Sequence, residues 1–406
     1  MTPAVSFSPY DYQIQDDPYP VYTRLRDEAP LYRNEELDFW ALSRHVDVAA
    51  AFREPARFSS ANGVSLDPSA WGPRATRTMS FLAMDAPRHT RMRALVSRGF
   101  TPRRVQDLTE RVRHLACQHL EACLGQDSFD FVGEFSGLLP MDVVSELVGV
   151  PEQDRPALRK FADTLLHRED GLMAVPRAGA EAAFELIVYF IDMVAERRAR
   201  QDRGQGATDP ASADLASALL EAEIDGDRLT DEEIVGFLFL MIVAGNETTT
   251  KLLANAIYWG WRNPAQLAGP MADPARIRTW VNETLRYDST SQALARTVTQ
   301  DFTAYGQTVP AGQRLVLLIG AANRDPAVFP DPDRYDLDRD TSALISFGAG
   351  RHYCLGANLA RLEASVALTE FTRLVSRYEV DEATAQRVHS PNVRGFTTLP
   401  IRVETR

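Results

Sequence analysis

Apolar residues recur at helical spacing over most of the chain. The pattern is clearest in four stretches, 105–124, 182–198, 231–261 and 357–378. A 3.6-residue period places the apolar side chains on one face, so each stretch predicts a helix. Strand character is found in three shorter stretches, 31–42, 315–320 and 399–403. Because these lie near both ends of the sequence, we expect one interleaved unit, a mainly α fold with small β-sheets and a single domain spanning 1–406.

The chain offers no segment that we expect to enter a membrane. The longest strongly apolar stretch, 234–244, is too short to span a bilayer. The first ten residues lack the basic and then apolar regions of a secretory signal. We therefore expect a cytoplasmic protein without membrane contact. Residues 201–214, rich in Gly, Pro, Ala, Ser and Asp, predict a surface loop between two helices.

Charge argues against a nucleic-acid partner. With 44 basic and 56 acidic residues the net charge is −12, whereas phosphate binding needs a concentrated basic face. The proportions of hydrophobic residues (45%) and charged residues (25%) are those of an ordinary globular protein.

The three cysteines form no CxxC pair, and an odd number of them indicates no disulfide framework. Cys117 and Cys123 lie on different faces of a predicted helix, and we expect both to pack there. Cys354 has different surroundings.

Cys354 lies in a glycine-rich loop, 347–356, with the sequence FGAGRHYCLG, immediately before a predicted helix. A thiol near a helix N-terminus faces backbone N–H dipoles, which lower its pKa and favour the thiolate, a soft metal ligand. A nucleotide-binding GxGxxG loop is excluded because its third glycine would fall on Tyr353. A zinc site is excluded because His352 has no companion ligands nearby.

This loop resembles the haem-binding loop of cytochromes P450, FGxGxHxCxG, at every fixed position. The resemblance implies the P450 fold, a triangular-prism-like domain. It also implies haem b as cofactor, with Cys354 as the iron ligand in a loop that includes Phe347, Gly348 and Gly356. A thiolate ligand donates electron density that favours O–O cleavage.

A second motif interrupts the apolar helix at residues 244–249, AGNETT. A threonine hydroxyl bonded to the carbonyl of Ala244 would distort the helix, and Gly245 leaves room for an oxygen groove. The run is similar to the family's AGxET motif. That similarity implies that Glu247 and Thr248 deliver protons during oxygen activation.

Haem propionates require cations or hydrogen-bond donors. His89 and Arg93 stand four residues apart on one predicted helix face and match the family's propionate-binding helix. Arg296 and His352 complete the set that the resemblance implies.

A lone ExxR motif is common, but Glu283 and Arg286 together with Arg334 resemble the family's Glu-Arg-Arg network. The resemblance gives this network an architectural role behind the haem.

The substrate pocket is assigned by the same resemblance. Its expected lining residues are Trp71, Met79, Phe81, Leu172, Met173, Val243, Ala244, Leu294 and Phe396. A lining of this kind implies a small, largely apolar substrate.

The resemblance implies a monooxygenase that inserts one atom of O₂ into a polyketide or macrolide, terpenoid, steroid or fatty acid. Hydroxylation is the expected reaction, and epoxidation stays open. We expect a monomer that draws electrons from NAD(P)H through a ferredoxin and its reductase. The residues expected to dock the acidic donor are Arg91, Arg103, Arg104, Arg351 and Arg361. Two alternatives stay open, a peroxide-driven oxidase and a non-catalytic haem carrier or sensor.

Overall fold

The structure, a computed structural model, describes residues 5–203, 214–221, 223–224 and 226–406. In these ranges the chain is mainly helical with small sheets, as predicted. The α-helices are α1 (Tyr12–Asp16), α2 (Tyr19–Glu28), α3 (His45–Arg53), α4 (Thr76–Met79), α5 (Arg88–Val96), α6 (Pro102–Asp107), α7 (Thr109–Cys123), α8 (Leu139–Val148), α9 (Arg155–Leu166), α10 (Arg177–Asp202), α11 (Leu215–Glu221), α12 (Asp231–Arg262), α13 (Pro264–Ala272), α14 (Ile277–Tyr287), α15 (Ile319–Ala322) and α16 (Ala357–Leu374). The strands are β1 (Leu31–Asn34), β2 (Phe39–Leu42), β3 (Phe58–Ser59), β4 (Ser128–Asp130), β5 (Glu223–Ile224), β6 (Asp227–Arg228), β7 (Ala293–Val298), β8 (Phe302–Ala304), β9 (Gln307–Val309), β10 (Arg314–Leu318), β11 (Val375–Val380), β12 (Gln386–Arg387), β13 (Phe396–Thr398) and β14 (Pro400–Thr405).

The predicted helices are confirmed, with two corrections to their bounds. The stretch 105–124 is divided between α6 and α7. The stretch 357–378 is helical only to Leu374, because the residues that follow pair with β14 as strand β11. Of the predicted loop at 201–214, residues 204–213 lie outside the described part of the chain.

The largest sheet joins the two ends of the sequence. Its five strands are ordered β1-β2-β10-β7-β3, and β10 runs parallel to β2 with Leu315 opposite Trp40. A second sheet, β11-β14-β4, brings the C-terminus against the middle of the chain. This pairing supports our description of residues 1–406 as one domain, which stays a prediction.

Helix α12 forms the centre of the helical part. A capping box between Thr230 and Glu233 satisfies its first N–H groups. By length and composition α12 could cross a membrane, and it is the helix among the described residues that meets this test. However, 72% of its most apolar window is buried inside the protein, as expected for a core helix.

The Glu-Arg-Arg network uses a different second arginine from the predicted one. Arg286 donates two hydrogen bonds to Glu283, at 2.7 and 2.8 Å, and both side chains are fully buried. The other arginine on Glu283 is Arg339, with Nε 3.4 Å from Oε1. The assignment of Arg334 is wrong: its side chain is exposed, and only its backbone carbonyl accepts from Arg286 and Arg339.

Candidate active site

The cysteine loop has the tight backbone that its glycines predict. Gly348 and Gly350 have φ values of 69° and 68°, a region that L side chains rarely adopt. A Cβ on Gly350 would also lie 2.7 Å from the carbonyl oxygen of Phe52. The amide of Cys354 donates to the carbonyl of Phe347 at 2.9 Å, which closes the loop. Gly356 has open space around it, so we find no steric reason for a glycine there.

The thiol of Cys354 is accessible, and it lies directly before α16. Burial of its surroundings raises its pKa, while the N–H groups of Gly356 and Ala357 and the guanidinium groups of Arg93 and Arg361 lower it. The N–H groups thus lower the pKa of Cys354 as predicted, but burial outweighs them, so the net shift is upward. Metal coordination is what deprotonates a ligating thiol in such surroundings.

Helix α5 contributes two polar side chains beside the cysteine loop. His89 is 3% exposed, and its Nε2 has no hydrogen-bond partner among the described residues. Its ring centroid lies 4.1 Å from that of His352. Arg93 likewise has a buried Nη1 without a partner in the described chain. A polar atom of this kind is costly to bury unless a hydrogen-bond partner is provided for it.

Arg296 adds a buried cation from β7. Its Nη1 donates to the adjacent carbonyl of Ala295 at 2.7 Å, and its guanidinium lies 5.3 Å from the ring centroid of Phe52. Burial lowers the pKa of Arg296 to about 10, and the charge of Asp85 offsets part of that shift. Burial, followed by the charge of Arg296, lowers the pKa of His352 to about 3.

The buried Arg296, the half-buried Arg93 and the two tilted imidazoles thus converge, and the acid whose charge acts on Arg296 and His89 is Asp85. A ligand carrying two carboxylates would satisfy them, so the residues present fit the two propionates of haem. The set is the one named from the sequence, His89, Arg93, Arg296 and His352.

On α12, Thr248 Oγ1 donates to the carbonyl of Ala244 at 2.9 Å, as predicted. The predicted distortion does not break the helix, which is α-helical throughout. Ala244 is exposed in the middle of an otherwise buried helix, so we infer that α12 faces open space at this point.

Glu247 points into the protein. It is 2% exposed and pairs with Lys251, whose Nζ lies 3.1 Å from Oε2. Asn246 Nδ2 donates to it at 3.3 Å. The sequence reasoning missed Lys251, although its position four residues after Glu247 on one helix was the available signal.

The expected pocket residues differ in their surroundings, and their role in a pocket stays a prediction. Phe81 packs near His89 and Phe237, and Val243, Leu294 and Met79 are half-buried. Phe396 is buried between the ring of Tyr258 and the guanidinium of Arg387. Its strand, β13, places it there by pairing with β12.

Three other expected pocket residues lie towards the surface or the N-terminal segment. Leu172 is 50% exposed, Met173 packs against the cluster that contains Phe7, and Trp71 lies under Arg314.

The expected docking arginines differ in exposure and partners. Arg103, Arg104 and Arg351 are exposed, and the half-buried Arg361 stacks on Phe347 at 4.4 Å. Arg91 pairs with Glu233 on α12 at 2.9 Å.

Three features of the site together indicate a haem-thiolate protein. They are a glycine loop that presents a cysteine, a core helix with an acid and an alcohol, and cationic side chains that an anionic ligand would satisfy. A family model described as cytochrome P450 matches residues 277–405. The chain is 57% identical over its whole length to a putative cytochrome P450 123 of Mycobacterium tuberculosis, of which it covers 98%. It is 35% identical over 96% of its length to a vitamin D(3) 25-hydroxylase of Pseudonocardia autotrophica, of which it covers 94%.

Among solved structures, CYP109E1 of Bacillus megaterium in complex with testosterone superposes with a TM-score of 0.86. The two chains are 30% identical, with 96% of this chain and 98% of that chain covered. The chain therefore belongs to the cytochrome P450 family and is a haem-dependent monooxygenase. Members use haem b held by a thiolate, include hydroxylases and epoxidases, and in bacteria generally take electrons from a ferredoxin and its reductase.

Proposed function

We propose that Cys354 is the thiolate ligand and that the enzyme hydroxylates an apolar substrate. The observation that supports this most is the cluster of His89, Arg93, Arg296 and His352 beside the accessible thiol, because an anionic ligand would pair with these side chains. Bound haem supplies the activation of O₂ and the oxygen transfer. Epoxidation would use the same site.

The chain's own residues orient the cofactor and handle protons. Arg93 and Arg296 would neutralise the haem propionates, and His89 would donate a hydrogen bond to one of them from Nε2. The hydroxyl of Thr248, held by the carbonyl of Ala244 at 2.9 Å, passes protons towards the oxygen site. Glu247 replenishes that hydroxyl from inside the protein.

Electrons come from an acidic ferredoxin that docks on Arg103, Arg104, Arg351 and Arg361. Electrostatic attraction of this kind is screened by salt, so the reduction rate should fall as ionic strength rises. The protein works as a cytoplasmic monomer.

We propose that the substrate is a steroid rather than a polyketide or macrolide, a terpenoid or a fatty acid. The vitamin D(3) 25-hydroxylase and the testosterone complex of CYP109E1 support this choice. Before Thr248 on α12, the half-buried Val243 and the exposed Ala244 supply apolar surface, as a pocket for an apolar substrate requires.

Titration of the haem-loaded ferric protein with one compound from each class tests the choice. We expect a steroid to change the spin state, seen in the Soret band, at concentrations where the other three classes do not. A shift with another class alone would assign the substrate to that class.

Replacement of Thr248 by alanine should divert electrons from product to hydrogen peroxide. Product per NAD(P)H consumed should fall by about 10²-fold, the low end of what a positioned proton donor contributes. The measurement compares NAD(P)H consumed, product formed and peroxide released.

Thr250→Ala is the matched control, since Thr250 makes the same bond one turn back, to Asn246 at 3.0 Å, but is buried. A peroxide-driven oxidase would keep its peroxide-supported rate in Thr248→Ala, and a carrier or sensor would have no substrate oxidation to lose. Equal coupling in both variants would count against the role of Thr248.

A further inference from the structure

Helix α10 carries an apolar stripe on a face that is open to solvent. Phe184 is 63% exposed and Ile191 is 50% exposed, whereas Val188 is half-buried and Ala195 is exposed. These residues stand at positions i, i+4, i+7 and i+11, which align along one face of a helix with 3.6 residues per turn. An apolar stripe that stays exposed over three helical turns is typical of an interaction surface.

The opposite face of α10 is the one that packs into the protein. Its buried residues are Gly179, Ala182, Leu186, Phe190, Met193 and Val194. Through its packing side the helix contacts α9, α11 and α12. The apolar stripe is therefore additional to the surface that α10 uses for the fold of its own chain.

Charged residues stand on the same face at both ends of the apolar stripe. Arg177 and Glu181 precede it and form an ion pair at 2.7 Å. Arg198, which pairs with Asp231 at the start of α12, and the exposed Asp202 follow it. From the N-terminus to the C-terminus of α10, the face thus presents a base, an acid, four apolar residues, a base and an acid.

This order is complementary to itself when a second copy of α10 runs in the opposite direction. The middle of the helix, Arg177–Asp202, lies between residues 189 and 190. A two-fold axis at this point makes the interface isologous, so every contact occurs twice. The residues placed opposite each other are Arg177 and Asp202, Glu181 and Arg198, Phe184 and Ala195, and Val188 and Ile191.

Each base then faces an acid, and the bulkiest apolar residue of the stripe faces the smallest. Such alternation lets the side chains of two helices interdigitate. A parallel pair would instead place Arg177 against Arg177 and Asp202 against Asp202. The sequence of the face therefore favours the antiparallel arrangement.

The charges beside the stripe favour a second copy over other partners. Glu185 and Asp192 are exposed along one edge of the face. They would repel the anionic headgroups of a membrane and an acidic electron donor. In the paired helices they would stay at the rim, where water screens their mutual repulsion.

We propose that the exposed face of α10 is the interface of a two-fold symmetric dimer, in which the α10 helices of two copies of this chain pack antiparallel. A helix of 26 residues is about 39 Å long, and a single pair of such helices is a small interface. The dimer is consequently reversible and depends on protein concentration. Each chain keeps its own cysteine loop and its own α12, so the catalytic unit remains the single chain.

Analytical ultracentrifugation of the haem-loaded protein over a concentration series tests the proposal. The average mass should rise from that of one chain, 45.2 kDa, towards twice that mass. Ile191→Glu should remain a single chain at every concentration, because it buries an acid beside the two-fold axis in both copies. Val46→Glu is the matched control, since Val46 is 66% exposed on α3, and this variant should associate like the wild type.

Exchange of the charges at the two ends tests the antiparallel register. Arg177→Glu and Asp202→Arg each place like charges opposite each other twice, so each should weaken the dimer about tenfold. Both changes suit the helix dipole, so loss of the helix would not explain the weakening. The double variant Arg177→Glu/Asp202→Arg should regain the association of the wild type.

The results that contradict the proposal are distinct. A mass of one chain at all concentrations overturns it, as does a dimer that Ile191→Glu leaves intact. A double variant that stays as weak as the single variants overturns the antiparallel pairing. Binding of the wild type, but not of Ile191→Glu, to phosphatidylglycerol vesicles in the absence of dimers would assign the face to a membrane instead.

Discussion

Cys354→Ser is expected to abolish substrate oxidation and the thiolate signature in the absorption spectrum of the reduced carbon monoxide complex. Serine keeps the shape of the loop, since the bond from the residue 354 amide to Phe347 does not involve the side chain. It cannot, however, supply a soft, electron-donating ligand. The loss of activity should exceed the ~100-fold that follows from removal of an outer-shell partner of a metal ligand.

Cys117→Ser is the matched control. This half-buried thiol lies on α7, 3.4 Å from Glu370, and takes no part in the cysteine loop. We expect its carbon monoxide spectrum and its turnover to match the wild type. A thiolate spectrum retained in Cys354→Ser would show that the ligand has been assigned to the wrong cysteine.

Asp288→Asn is expected to destabilise the fold by about 3–5 kcal/mol. Asp288 is fully buried at the end of α14 and accepts from Tyr19, Trp259 and Arg394 at 2.6, 2.7 and 2.6 Å. Arg387 lies 3.3 Å away. Loss of the carboxylate charge would leave the buried Arg394 and the half-buried Arg387 without their anion, which is the costly way to break such a cluster. Urea unfolding of both proteins measures the difference.

The pH dependence follows from the charge of this cluster. Burial raises the pKa of Asp288, but Arg394 and Arg387 outweigh it and hold the pKa far below its ordinary value. Because its pKa is lower in the folded than in the unfolded state, the Asp288 carboxylate stabilises the fold fully above the ordinary aspartate pKa of about 3.9. This stabilisation is lost as the pH falls towards the pKa of the folded state. The difference in free energy of unfolding between the wild type and Asp288→Asn should therefore become smaller at acidic pH.

Asp333→Asn provides the comparison for an exposed acid. Asp333 accepts from Arg324 at 3.0 Å, but its side chain is 61% exposed. We expect a cost of less than about 1 kcal/mol, because water screens an ion pair at the surface. If both variants lost the same amount of unfolding free energy, burial would not be what determines the stabilising contribution of Asp288.

The position of Glu247 changes how proton delivery must be understood in this protein. A motif that names an acid and an alcohol as neighbours suggests that both face the same space. In the fold, Glu247 pairs with Lys251 on the protein side, and Thr248 bonds back to Ala244 at the exposed point of α12. Neighbours on a helix are rotated by about 100°, so adjacent residues serve different surroundings.

The sequence by itself determined the features that depend on local spacing. The glycine loop around Cys354, the helical period of α12 and the i,i+4 placement of His89 and Arg93 are properties of short segments, and all three were predicted correctly as patterns. The bond from Thr248 to Ala244 is of the same kind, because it lies within one helical turn. The family followed from these motifs, since few folds need so many fixed residue types at such spacing.

Only the tertiary structure decided which distant side chains share a site. Arg339 rather than Arg334 reaches Glu283, and Phe396 packs on the ring of Tyr258. Asp288 meets Arg394 across 106 positions of sequence, and neither segment carries a local signal of that contact. The physical reason is that side-chain direction depends on helix packing and strand pairing, which place residues far apart in the chain against one another.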